Sequence, residues 1–115
     1  MSFIKGKKDE VLVRVTAELN GDLGKKTKVP FVVTFKRYSV SESQVLGERI
    51  RNSELSDEDL LRAVVLDWRE LHGTDEQEVP FSVEALHELA EIREYRVALV
   101  RAFMLQQYEI DIKNP

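Results

Sequence analysis

Apolar and polar residues alternate along the first third of the chain, and apolar residues recur every three or four positions after it. Val11, Val13, Val15, Ala17 and Leu19 are separated by Leu12, Arg14, Thr16 and Glu18. This period of two predicts a half-buried strand. Asn20-Gly21-Asp22-Leu23-Gly24 is a turn signal, with the Asn-Gly step and Gly24 expected to take positive φ. A second alternating run carries Val29, Phe31, Val33 and Phe35 on one face and Pro30, Thr34 and Lys36 on the other. Pro30 has no N–H for a ladder, so it is expected at a strand start or on an edge. The two runs predict an antiparallel hairpin.

The rest of the chain predicts helices. Ser41 and Gln44 have capping-box spacing ahead of a short helix carrying Val45, Leu46, Arg49 and Ile50 and ending near Asn52. Gly47 weakens it by roughly 1 kcal/mol relative to alanine. Ser56 is the expected N-cap of a helix over residues 56–71, because Asp57, Glu58 and Asp59 complement the positive end of its dipole. Leu60, Leu61, Val64, Val65, Trp68 and Leu71 would form its apolar face. A polar loop over 73–78 leads to Val79-Pro80-Phe81-Ser82, where Ser82 is placed to cap a helix over 83–92 carrying Leu86, Leu89 and Ala90. Trp68 and Phe81 are then expected to clamp these two helices together. A fourth helix over 94–107 carries Val97, Val100, Phe103, Met104 and Gln107 on one side, with Arg96 and Arg101 outward; no true breaker stands between Ile92 and Tyr95, so it either continues the third helix or, as expected here, follows a kink or short turn. Tyr108, Ile110 and Ile112 alternate with Glu109, Asp111 and Lys113, a strand pattern able to add to a sheet edge unless the terminus frays. The predicted class is α+β: an N-terminal antiparallel β-hairpin, a bundle of about four helices, and a C-terminal segment with the option of a short strand. All 115 residues form one expected domain, with a basic hairpin over 1–38, a helical part over 39–107 and a tail over 108–115.

Composition adds an asymmetry of charge. The net charge is −4. Residues 1–38 hold nine Lys and Arg against four Asp and Glu, whereas residues 39–115 hold eight against seventeen. Such a split fits either an acidic partner for the first segment or complementarity between copies of the chain; lysines that keep an exposed hairpin soluble would also produce it. The absence of cysteine excludes disulfides and thiolate metal sites and fits a reducing compartment. No apolar run is long enough to span a bilayer, and the first residues lack the apolar run of a signal peptide.

The candidate chemistry is sparse. His87-Glu88-Leu89-Ala90-Glu91 holds half of a zinc-protease motif, with Glu91 where the second histidine would stand; His72 is the one other histidine. Glu84 and His87 have the i, i+3 spacing of di-iron bundles, which need two such pairs and two further glutamates. These residues also read as the wet face of an amphipathic helix. Asp57, Glu58 and Asp59 lack the glycine and glutamate of a calcium loop. Neither a phosphate-cradling glycine loop nor a nucleophile elbow is present. No catalytic residue, cofactor or metal ligand is therefore assigned, and no enzymatic activity is expected. The hairpin offers a second reading. Lys25, Lys26, Lys28, Lys36 and Arg37 surround Phe31, Phe35 and Tyr38, as in a β-ribbon that grips nucleic acid. Against this, the two phenylalanines share a face with Val29 and Val33, and the acidic remainder would repel phosphate.

The order of segments carries a resemblance. A hairpin ending Phe35-Lys36-Arg37-Tyr38-Ser39 is followed by Leu55-Ser56-Asp57-Glu58-Asp59-Leu60-Leu61 and Val65-Leu66-Asp67-Trp68. An acidic loop, Val79-Pro80-Phe81-Ser82, Ala85-Leu86 and Ala98-Leu99-Val100-Arg101-Ala102-Phe103 complete it. From about residue 29 to 103 the chain resembles the tail assembly chaperones of long-tailed bacteriophages and prophages. The Asp-Trp, acidic loop, Val-Pro-Phe-Ser succession is its most specific part. Ile92-Arg93-Glu94-Tyr95 departs from the pattern, since relatives often carry proline or glycine there. The resemblance implies a non-enzymatic protein of the bacterial host cytoplasm, absent from the finished virion. It implies binding to the tail tape measure protein while tail tube subunits assemble, and in some relatives a longer form made by frameshifting. Trp68, Val79, Pro80, Phe81 and Ser82 are its expected structural anchors. The surface expected to meet the tape measure protein, the tube protein or another copy comprises Lys25, Lys26, Lys28, Lys36, Arg37, Tyr108, Ile110 and Ile112.

Overall fold

The computed structural model describes residues 9–109. The fold is α+β. Strands β1 (Glu10–Asn20) and β2 (Lys26–Lys36) form the expected antiparallel hairpin. Helices α1 (Val40–Arg51) and α2 (Asp57–Val64) follow, then a third strand, β3 (Val65–Arg69), and helices α3 (Val83–Ala90) and α4 (Arg93–Tyr108). The sheet order is β1-β2-β3, with both neighbours antiparallel to β2. One sheet face and the helices enclose the core. Phe31, Val33, Phe35, Val15 and Ala17 meet Leu60, Leu61, Val64, Leu86, Tyr95, Leu99 and Phe103.

Strand β3 corrects the expected long second helix. Residues 56–71 do start as a helix, and the Ser56 hydroxyl accepts from the Asp59 N–H at 3.1 Å. The helix stops at Val64, and the chain turns extended at Val65. Val65 pairs with Phe35 and Trp68 with Val33, while Asp67 pairs with Thr34, so Leu66 is the extra residue of a β-bulge. A bulge places two inward side chains three positions apart. Val65 and Trp68 are both buried, with exposed Leu66 and Asp67 between them. That spacing imitates one helical turn.

Three local expectations also shift. The capping box of α1 is Ser39 with Glu42, two residues earlier than Ser41 with Gln44. In the hairpin turn Leu23 takes left-handed backbone at φ 57° and Gly24 at φ 76°, whereas Gly21 stays extended at −123°. Pro30 lies inside β2, opposite Thr16, and not at its start. β3 pairs no further along β2 than Val32, so Pro30 stands where β2 has no neighbour on that side.

The other helix ends follow expectation. Ser82 caps α3 by accepting from the Ala85 N–H at 2.9 Å. Ile92, extended at ψ 115°, separates α3 from α4. The inner face of α4 is Tyr95, Leu99 and Phe103, with Val97, Val100, Met104 and Gln107 half-buried at its sides. Arg96 does not point freely outward: its Nε–H donates to the Ala90 carbonyl at 2.7 Å, closing the end of α3. Trp68 and Phe81 do meet, edge to face at 4.9 Å, but they join a strand to a helix entry and not two helices.

Candidate functional site

Among the described residues β1 pairs with a strand, β2, on one side only. α4 lies over β1 and is tied at both ends. The Asn20 N–H, at the end of β1, donates to Glu94 Oε2 at 3.1 Å. Past the end of β2, the Tyr38 N–H donates to Gln107 Oε1 at 3.1 Å, and Gln107 Nε2 donates back to the Tyr38 carbonyl at 3.3 Å. Between the two ties a groove of about 410 Å³ runs beside β1. Its floor is apolar, from Val15, Val97, Ala98 and Ala102. Its rim carries Arg14, Lys26, Arg93 and Arg101 beside Glu18 and Glu94. The Asn20 N–H holds the Glu94 carboxyl below the usual carboxylate range, because the bond favours the anion.

The expected basic surface is present in part. Lys25, Lys26, Lys28, Lys36 and Arg37 are exposed. Lys26 pairs with Glu18 at 3.3 Å, and Lys36 Nζ stands 5.1 Å from the Tyr38 ring centre. Tyr108 is not a free contact residue. It is half-buried, and its hydroxyl donates to the Ser43 carbonyl at 2.6 Å, fastening α1 to α4. Burial raises its phenol above the ordinary value. Ile110 and Ile112 lie outside the described residues. The ribbon needed to grip nucleic acid lacks its aromatic platforms, since Phe31 and Phe35 are 0 % exposed, facing Tyr95 and Phe103.

The residues matched by the family-like motif form one joint. Trp68 Nε1–H donates to the Val79 carbonyl at 2.8 Å, Phe81 meets the indole edge to face, and Ser82 caps α3. Pro80 is exposed and bridges these contacts along the chain.

Of the residues weighed for metal chemistry, His72 Nδ1 lies 3.1 Å from the Glu70 carbonyl, and its backbone bridges Glu78 across the base of the polar loop. Glu84 and His87 are not joined as the i, i+3 spacing would have it. His87 instead meets Glu58, whose Oε1 takes a hydrogen bond from Nδ1, and Glu91 one turn further along. Sequence reasoning placed Glu58 only as a helix-start acid. The one signal was the His87–Glu91 spacing; the partner from α2 depends on packing. Among the described residues no helix is long and apolar enough to cross a membrane. No family model, curated protein or solved structure matches the chain.

Proposed function

We propose that this chain is a non-enzymatic tail assembly chaperone of a long-tailed phage or prophage, which holds a segment of the tape measure protein until tube subunits close around it. The observation that carries this reading is the side of β1 that no other strand covers among the described residues, beside the α4 groove. An unpaired strand edge offers a row of N–H and C=O groups that an extended client segment can complete, while the groove takes its side chains. The joint of Trp68, Val79, Phe81 and Ser82 supports the family resemblance, because the motif residues act together as one structural unit. The tail tube protein is a second partner on this reading, and the chain acts in the host cytoplasm without entering the virion.

Co-expression with a tape measure protein, which this reading expects to be encoded beside the chain, tests this. The tape measure protein is expected to stay soluble and to co-purify with this chain. Reversing charge on the rim, with Lys26→Glu and Arg93→Glu together, should abolish co-purification while leaving the fold intact. A tape measure protein that aggregates equally with and without this chain would overturn the proposal.

A further inference from the structure

We infer that Glu58, His87 and Glu91 form a zinc-class divalent cation site that staples α2 to α3. The inference is independent of client binding and rests on a different part of the molecule. Glu58 stands in the first turn of α2; His87 and Glu91 stand one turn apart at the end of α3. One ligand atom from each lies within 4.8 Å of the other two. In a tetrahedral zinc site with bonds of about 2.0–2.2 Å, ligand atoms are separated by about 1.6 bond lengths, or roughly 3.4 Å. Closing the trio therefore takes small side-chain rotations and no movement of either helix. Beneath it, Leu61, Val83, Leu86 and Ala90 pack α2 against α3 and fix the spacing from which the ligands project.

The donor set selects the metal. One imidazole nitrogen with two carboxylates suits zinc and its first-row neighbours, whereas magnesium and calcium prefer oxygen throughout. The surrounding charge favours a dication. Asp57, Asp59, Glu84 and Glu88 stand on the same two helices, and Arg62 is their one cation. Arg62 lies 3.4 Å from Glu58 Oε1 in an exposed pair that an entering ion displaces. Such pairs contribute little, so the competition is weak. Three protein ligands leave a fourth position for water. The site crosses from one helix to another, so an ion held there binds the folded state and stabilises it.

The test is calorimetric titration of Zn²⁺ into the untagged, chelator-treated full chain with magnesium in excess, followed by thermal unfolding with and without zinc. One equivalent is expected to bind saturably and to raise the melting temperature. His87→Ala, Glu58→Gln and Glu91→Gln should each weaken binding by at least about tenfold, since loss of outer-shell partners alone costs roughly 10–100-fold. Glu84→Gln, on the same helix but outside the trio, should leave it unchanged. All four positions are exposed or half-buried, so the variants fold, and circular dichroism without metal verifies this. Absence of a saturable one-equivalent site, or binding that survives His87→Ala undiminished, overturns the inference.

Discussion

At the scale of single residues, two positions show how local backbone and packing are balanced. Leu23 is fully exposed at the hairpin turn and holds left-handed backbone at φ 57°. An L-residue with a bulky side chain loses about 1–2 kcal/mol in that conformation, and Leu23 recovers nothing by burial. Asparagine tolerates the left-handed region better. Leu23→Asn is therefore expected to raise stability by up to about 1 kcal/mol, read as a higher denaturant midpoint at unchanged slope. Trp68 presents the opposite case. It is buried, its indole N–H satisfies the Val79 carbonyl at 2.8 Å, and its ring edge meets Phe81. Trp68→Phe keeps much of the apolar contact but leaves that carbonyl without its donor, at a cost of about 1–3 kcal/mol. A midpoint unchanged by this substitution would show that the bond contributes nothing net.

At the scale of elements, what decided success in reading the sequence was whether a pattern had one structural meaning. The hairpin strands were legible because alternation over nine residues has no helical counterpart, and β1 and β2 pair in register from Glu10 with Lys36 to Asn20 with Lys26. Ser56 and Ser82 were legible because a hydroxyl ahead of an amphipathic run has one economical use, and both accept the expected N–H. The break at Ile92 was only half legible, because no proline or glycine marks it and a continuous helix would carry the same pattern. β3 was illegible because the bulge at Leu66 turns a strand's period into that of a helix. The Glu58–His87 pairing was illegible for another reason: the two stand 29 positions apart, and only the packing of α2 on α3 brings them together. The tie between β1 and α4 leads to a prediction of the same kind. Glu94 accepts from the Asn20 N–H, which depresses its folded-state pKa. A depressed carboxyl stabilises the fold above its unfolded value of about 4.3, and that contribution is lost as pH falls through the lower folded value. The stability difference between the parent and Glu94→Gln should therefore be constant near neutrality, shrink as pH falls below about 4.3, and vanish below the folded value. A difference that persists unchanged into acid would mean that the anion is not what Asn20 recognises.

At the scale of the whole molecule, charge is segregated in space as it is along the sequence. Lys25, Lys26, Lys28, Lys36 and Arg37 are exposed on the hairpin and the segment leaving it. Asp57, Glu58, Asp59, Glu84, Glu88 and Glu91 gather on α2, α3 and the residue that ends α3. Among the described residues, Lys26 pairs with Glu18 on its own hairpin, and Arg62 with Glu58 on its own helix. Two copies can bring the two groups of charges together by setting the hairpin of one against the α2–α3 face of the other. That is a head-to-tail contact, which adds further copies unless rotation closes a ring. The attraction acts between exposed charges, so it reaches about 10 Å at 0.1 M salt and about 3 Å at 1 M. Sedimentation across that range should show a mass above the monomer at low salt that falls toward it as salt rises. Lys25→Glu with Lys28→Glu should produce the monomer at every salt concentration. Zinc should act in the same direction as salt, since a dication on Glu58, His87 and Glu91 removes negative charge from the receiving face. A mass equal to the monomer and indifferent to salt would place the contact elsewhere and leave the basic hairpin as a solubilising edge.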